Sequence, residues 1–282
     1  ARIPVTAGST QRVRKQETPW IEKQISDSVA TPGRESRSFP ILFQPGIRRA
    51  APPSIPAQRH PMLSELALSA LTDVILASFQ AFAAGLLFRP GLQRGSAAWV
   101  WAWTMTAIAA VFLIGAVDHG FFEVIDHPLH PLLMSVNRAM VALVAFLMIA
   151  VAAVQFLGPT GRKVALALGG LGNLAVAVLV FFSDNFFIVI GSYSAALLFL
   201  LALNIVGLRD GRGSVAMIAG IVITFVASAI PLIGYEAISG FGVYATYHVA
   251  LMPAVVAFYL AGRALDDGPP STAAMEHGTG FR

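Results

Sequence analysis

The chain of 282 residues contains no cysteine. That excludes disulfides, thiolate nucleophiles, iron–sulfur ligation and covalent haem attachment. Charge is scarce as well. Asp, Glu, Lys and Arg together make up 12% of the residues, about half the share of a soluble domain. No lysine lies inside the hydrophobic segments described below, so a retinal Schiff base is excluded. There is no glycine-rich phosphate loop, which argues against a nucleotide-driven pump, and no HExxH zinc signature. Acids do not recur through both halves of the hydrophobic region, which weakens an ion-pump reading.

What the chain has in abundance is apolar sequence. Hydrophobic residues make up 56% and mean hydropathy is +0.71. Seven hydrophobic segments, at about 62–88, 97–121, 132–157, 163–182, 185–207, 214–234 and 242–262, each approach the ~20 residues needed to cross a bilayer. The expected fold is an all-α polytopic bundle of seven transmembrane helices spanning residues 62–265, in contact with membrane lipids. Turns are marked by Pro90-Gly91, Gly158-Pro159 and Asp210-Gly211, and such short connections predict antiparallel packing of sequence neighbours. Residues 1–61 and 266–282 are different in kind. The first 61 residues are rich in Pro, Ser, Arg and Gln and carry ten Lys and Arg against four acids. They read as a basic, largely irregular extension that docks protein partners, with no apolar core of a signal peptide. The remainder carries nine Lys and Arg against eleven acids. The sequence pI of about 9.8 thus belongs to the extension, and no nucleic-acid partner is expected. Residues 266–282 read as a flexible tail.

Lys and Arg gather in alternate loops. Arg89 and Arg94, Arg162 and Lys163, Arg209 and Arg212, and Arg263 after the last segment fall on one side. The other loops carry Glu123, Asp126, Asp184 and Glu236 instead. By the positive-inside rule the former side is cytoplasmic, with the N-terminus outside and the C-terminus inside. Arg48, Arg49 and Arg59 of the extension run against this assignment.

That topology gathers the polar residues of the hydrophobic region at the outer end. Glu65, Ser69, Thr72 and Asp73 follow helical spacing and share one face of the first span. Asp73 lies deep in it, where a carboxylate must be paired, hydrogen-bonded or protonated. Arg138, the one Arg well inside a span, is its nearest expected cation, and an Asp73–Arg138 bridge locking spans one and three is the architectural alternative to a catalytic role. The run from Asp118 to His130 holds His119 and Glu123 at i, i+4, and His127 and His130 on either side of Pro128. Imidazole and carboxylate together suit zinc or a similar metal. His248 lies in the seventh span with Tyr244 one turn earlier, and Pro253 follows it as an expected kink. His119 and His248 therefore reach a similar depth on separate spans. Trp99, Trp101 and Trp103 read as an interfacial anchor, and Gly169, Gly170 and Gly172 as a close-packing stripe.

An acid in span one, Asp118-His119 ending span two and His248 in span seven resemble the CREST superfamily of alkaline ceramidases, progestin and adipoQ receptors and Per1-like proteins. Members hold zinc with histidines of spans two and seven. Gly115 stands at the place of the family's span-two serine, Tyr244 at that of its first span-seven histidine, and position 252 is Met. The resemblance implies a metal-dependent hydrolase of a lipid amide or ester. His119 and His248 would be ligands, joined by His127, Asp73 or Glu123. Asp73 or Glu65 would serve as general base, with Arg138 stabilising developing negative charge. The chain is also similar to uncharacterised bacterial seven-span proteins, which implies a bacterial inner membrane. Two other functions remain open: a subunit in which the two histidines bind haem or contact a pigment, and a non-catalytic scaffold whose extension docks a larger assembly.

Overall fold

The computed structural model describes residues 64–183, 185–238 and 240–265. The readings made for residues 1–61 (Arg48, Arg49 and Arg59 among them), for residues 266–282 and for Asp184 lie outside the described residues. Those described form seven long helices and no strand: α1 (Glu65–Leu87), α2 (Ala97–Val117), α3 (His130–Phe156), α4 (Pro159–Leu179), α5 (Phe187–Gly207), α6 (Val215–Ile233) and α7 (Val243–Ala264). Each is long and apolar enough to cross a membrane. A π turn (Asp118–Phe122) and a 3₁₀ turn (Glu123–Ile125) extend α2.

Local chemistry sets the helix boundaries. Ser64, Ser96 and Ser214 cap α1, α2 and α6, each hydroxyl accepting from the backbone N–H three residues on. Gly158 precedes α4, and Pro159 occupies its first turn with φ already helical. The helix therefore starts four residues before the predicted 163, and Lys163 becomes an exposed residue of its first turn. Gly242, at φ 87°, opens α7 with a backbone that other residues rarely adopt.

Helix α1 packs against α2 and α7, α7 against α6, and α3 against α2, α4 and α5. Fifth in the chain, α5 leans mainly on α3 and only slightly on its sequence neighbours, so the antiparallel-neighbour expectation holds for α1–α2, α2–α3, α3–α4 and α6–α7 but weakly around α5. The alternation puts Arg89, Arg94, Arg162, Lys163, Arg209, Arg212 and Arg263 at one end of the bundle and Glu65, Glu123, Asp126 and Glu236 at the other, here called the acidic end.

The core is built from Leu76, Trp101, Met105, Met148, Leu197, Leu200, Met217 and Ile221. Trp101 corrects the reading of three tryptophans as one interfacial anchor. It is 0% exposed, while Trp103 is 46% exposed and Trp99 intermediate. The Trp101 indole N–H donates to the Phe258 carbonyl at 2.9 Å, and its ring meets that of Phe258 edge-on. Room for it comes from Gly262, where a side chain would strike both Trp101 and Leu87. The glycines of α4 divide: Gly169 lies against Ile149 and Gly170 against Phe146, whereas Gly172 faces open space. Outward, the bundle shows large apolar side chains, including Phe82, Leu168, Leu171, Leu174, Phe187 and Leu232.

Trp101→Phe keeps the ring but removes the donor, and should lower stability by about 1 kcal/mol. Gly262→Leu overpacks the same contact and should cost more, about 1–3 kcal/mol or above. Denaturation of the purified protein in detergent checks the order of the two.

Candidate functional site

The polar face of α1 turns inward. Ser69, Thr72 and Asp73 are buried, Asp73 to 2% exposure, while Glu65 at the helix start is exposed. His248 of α7 meets this face on both ring nitrogens: Nε2 lies 3.2 Å from Asp73 Oδ1, and Nδ1 lies 3.0 Å from Thr72 Oγ1. From the π turn after α2, His119 approaches the other carboxylate oxygen, with Nε2 4.0 Å from Asp73 Oδ2. Its Nδ1 is in very short contact with Glu123 Oε2. Asp73 thus stands between two imidazoles carried by α7 and the π turn.

The closeness of α2 depends on Gly115. A Cβ there would sit 3.2 Å from Asp73 Oδ2 and 3.8 Å from the Asn137 amide nitrogen of α3. Two buried polar atoms in this neighbourhood make no hydrogen bond, Ser69 Oγ and Asn137 Oδ1. Each is a desolvated group that gains from a ligand or water. Tyr247 and Phe112 wall the His248 ring, at centroid distances of 5.2 and 6.0 Å.

The hydrogen-bond network fixes how the imidazoles are used. The Thr72 hydroxyl donates within its own helix, towards Leu68 O at 2.9 Å and Ser69 O at 3.0 Å. Its oxygen therefore accepts from His248 Nδ1–H, which leaves the Nε2 lone pair facing Asp73. Likewise the Glu123 carboxylate can only accept, so His119 Nδ1 carries the proton there and its Nε2 lone pair also faces Asp73. Two imidazole lone pairs thus flank one buried carboxylate, His248 at Oδ1 and His119 at Oδ2, and a positive charge beside it, a proton or a metal ion, is what such an arrangement stabilises.

A second group adjoins the first. His130 Nδ1 lies 2.9 Å from Asp118 Oδ1, and Asp118, Glu123 and His130 each offer a ligand atom within 4.8 Å of the others. Glu123 belongs to both groups. The π turn makes this possible: the Glu123 N–H bonds to the Asp118 carbonyl, five residues back, so Glu123 stacks on Asp118 while staying one turn from His119.

Four sequence-based candidates go elsewhere. Arg138 forms no bridge to Asp73; its guanidinium lies over the Phe186 ring at 5.6 Å, because the neighbouring Asn137 takes the face towards Asp73 and Arg138 is turned about 100° away. Glu65 accepts from the Val243 N–H at 3.3 Å at the start of α7, and its side chain fills the space that a Cβ on Gly242 would need. His127 Nδ1 accepts from Leu129 N–H within its own loop, and the ring packs on Phe122. Tyr244 is half exposed and does not join His248. Missing from the sequence-based set are Thr72 as partner of His248, Asn137, and the Asp118–His130 pair; the last had a signal in the density of ligand-type residues between 118 and 130.

The sequence profile of one protein family matches residues 68–267, and so includes every residue of this cluster. The chain belongs to that family, DUF6962, a family of unknown function. No curated protein and no solved structure matches the chain. For this DUF6962 member the site must therefore be read from its own geometry.

The Asp73–His248 contact should register as an energetic coupling. A double-mutant cycle with Asp73→Asn and His248→Ala should give an interaction of about 0.5–3 kcal/mol in detergent unfolding. Additive effects of the two changes would mean that the pair is not formed.

Proposed function

We propose that this chain is a multi-pass membrane protein with a divalent metal site at its acidic end, and that the site hydrolyses an amide or ester of a lipid. The membrane setting is supported by the seven helices and by the apolar side chains they present outward, which a water-soluble bundle would have to cover. The loop charges favour an orientation with the acidic end outside and the C-terminus cytoplasmic.

The observation that carries the reading is the placing of the His248 and His119 Nε2 lone pairs against the two oxygens of the Asp73 carboxylate, at 3.2 and 4.0 Å. In donor type the set suits zinc: two imidazoles and a carboxylate, each imidazole held from behind by a partner on Nδ1, Glu123 for His119 and Thr72 for His248. An ion shared by all three would draw the rings inward, since among the described residues only Asp118, Glu123 and His130 have ligand atoms all within 4.8 Å of one another. The CREST resemblance agrees in the two histidines. Where that pattern has a serine this chain has Gly115, and the Asp73 carboxylate occupies the adjoining space, which supports Asp73, ahead of His127 or Glu123, as the third ligand. A bound zinc ion supplies Lewis acidity and a water of pKa about 7.

The chain's own residues do the rest. Glu123 and Thr72 hold the two rings in one tautomer. The Ser69 hydroxyl, buried and unpartnered at its oxygen, can donate to the scissile carbonyl of a substrate, and Asn137 Oδ1, also unpartnered, can accept from an amide N–H. Substrate reaches the cluster at His119 and Glu123, whose side chains are about one-third exposed, at 30% and 34%, while Asp73 stays dry at 3%. Glu65, tied to the start of α7, and Arg138, turned to the other side of α3, take no part in the chemistry.

Protein purified without chelator should contain about one zinc per chain. His119→Ala and His248→Ala should each abolish binding in a folded protein. Thr72→Val and Glu123→Gln should weaken metal affinity about 10–100-fold, as loss of an outer-shell partner does. Elemental analysis and release of fatty acid from amide- and ester-linked lipids read the two halves of the proposal. Metal-free wild-type protein whose stability alone responds to the histidine changes would leave the cluster structural, and a haem absorption band would reassign the histidines to a cofactor.

A further inference from the structure

A cavity of about 550 Å³ opens beside the first turns of α3, between that helix and the residues following α4. It stands apart from the Asp73 cluster, and its contents do not depend on the function proposed above. Arg138 lines it, with Ser135 and His130 on the same helix and Ser183 across from them. Met134, Val180 and Phe182 make the apolar part of the wall. Its volume falls within the range of small-molecule sites.

Arg138 is the feature that needs an explanation. An arginine inside an apolar helix is costly and is normally paired or led to the interface. Among the described residues no carboxylate lies within ion-pair distance of Arg138; its only recorded contact is the face of Phe186. Such stacking positions a guanidinium but satisfies none of its five N–H donors. The cavity therefore presents an oriented fork of donors that no carboxylate among the described residues neutralises, and the amino end of α3 adds its positive dipole on the same side. The opposite wall is apolar, and Phe182 is 82% exposed at the bundle surface. A polar, cationic floor with an apolar, outward-facing wall matches an amphiphile whose anionic head enters the cavity while its chains stay outside.

We propose that this cavity binds the phosphate headgroup of an anionic membrane lipid, with Arg138 as counter-ion. Ser183, whose hydroxyl accepts from the Asn185 N–H and keeps its own proton to donate, is a further hydrogen-bonding group, whereas Ser135 donates to the Pro131 carbonyl of its own helix and only shapes the wall. His130, fixed by its bond to Asp118, lines the same cavity.

The test is native mass spectrometry of the full chain in detergent, titrated with phosphatidylglycerol or with phosphatidylcholine of the same acyl chains. Wild-type protein should retain phosphatidylglycerol about tenfold more strongly than phosphatidylcholine. Arg138→Gln should erase the difference, and Arg138→Lys should keep part of it, since a point charge replaces a bidentate fork. Ser135→Phe, which fills the cavity and leaves the charge in place, should also lower retention and serves if Arg138→Gln does not fold. Metal content should be unchanged in all three variants, which separates this site from the histidine cluster. Equal retention of the two lipids by wild-type protein, or undiminished preference in both Arg138→Gln and Ser135→Phe, would overturn the proposal. Thermal stabilisation by millimolar inorganic phosphate equal to that by phosphatidylglycerol would overturn the lipid assignment in favour of a small-anion site.

Discussion

The Asp73 carboxylate is the constraint around which the acidic end of the bundle is arranged. An isolated carboxylate in an apolar interior is too costly to persist, so its surroundings must supply positive charge or donors. His248 from α7 and His119 from the π turn set lone pairs against it, so the missing positive charge is a proton or ion held beside the carboxylate, with the Asn137 amide nearby on α3. Each contact demands something of a distant part of the chain. The approach of α2 requires Gly115 to carry no side chain, and the placement of α7 is anchored by Glu65 through the Val243 N–H. The four elements meeting here are thus tied together by polar contacts at the acidic end and by the Trp101–Phe258–Gly262 contact further along.

Adjacent residues of α3 show how a helix divides tasks. Asn137 and Arg138 are consecutive, and about 100° of rotation sends one to the Asp73 neighbourhood and the other over Phe186. An Asp73–Arg138 pair would have neutralised both charges in one bond and left nothing to bind. By keeping them apart, the fold retains lone pairs set against a buried carboxylate on one side of α3 and, on the other, a cation with no carboxylate partner among the described residues. Buried groups held without a direct partner cost stability, and they are retained where a ligand supplies the missing interaction.

The seven helices were legible because hydropathy and length alone identify segments of this kind, and observed limits differ from the expected ones by a few residues. Gathering of polar residues at one end also followed from helix alternation, since depth along a span is a linear quantity. Direction around the helix axis was not legible in the same way. Arg138 and Asp73 share a depth, yet only packing decides which faces meet. Trp101 shows the same limit, since three tryptophans at one helix end look alike in sequence while one of them fills the core. Glu65 was misplaced because its partner is a backbone N–H exposed by the positive φ of Gly242, which no side-chain pattern announces. His127 follows its loop, whose hydrogen bonds are local.

The π turn explains why the cluster is larger than a two-histidine site. In a regular α-helix the residue five positions on points about 140° away from the first. Asp118 and Glu123 would then face different neighbours, and only the i, i+4 contact of His119 with Glu123 would survive. Widening the turn by one residue closes the bond from Glu123 N–H to Asp118 O and stacks the two carboxylates. Glu123 consequently serves His119 on one side and the Asp118–His130 pair on the other. The result is a row of neighbouring polar groups from His130 at the cavity through Asp118, Glu123 and His119 to Asp73 and His248. The backbone irregularity at the end of α2 is therefore the device that joins a buried charge to the outside of the bundle.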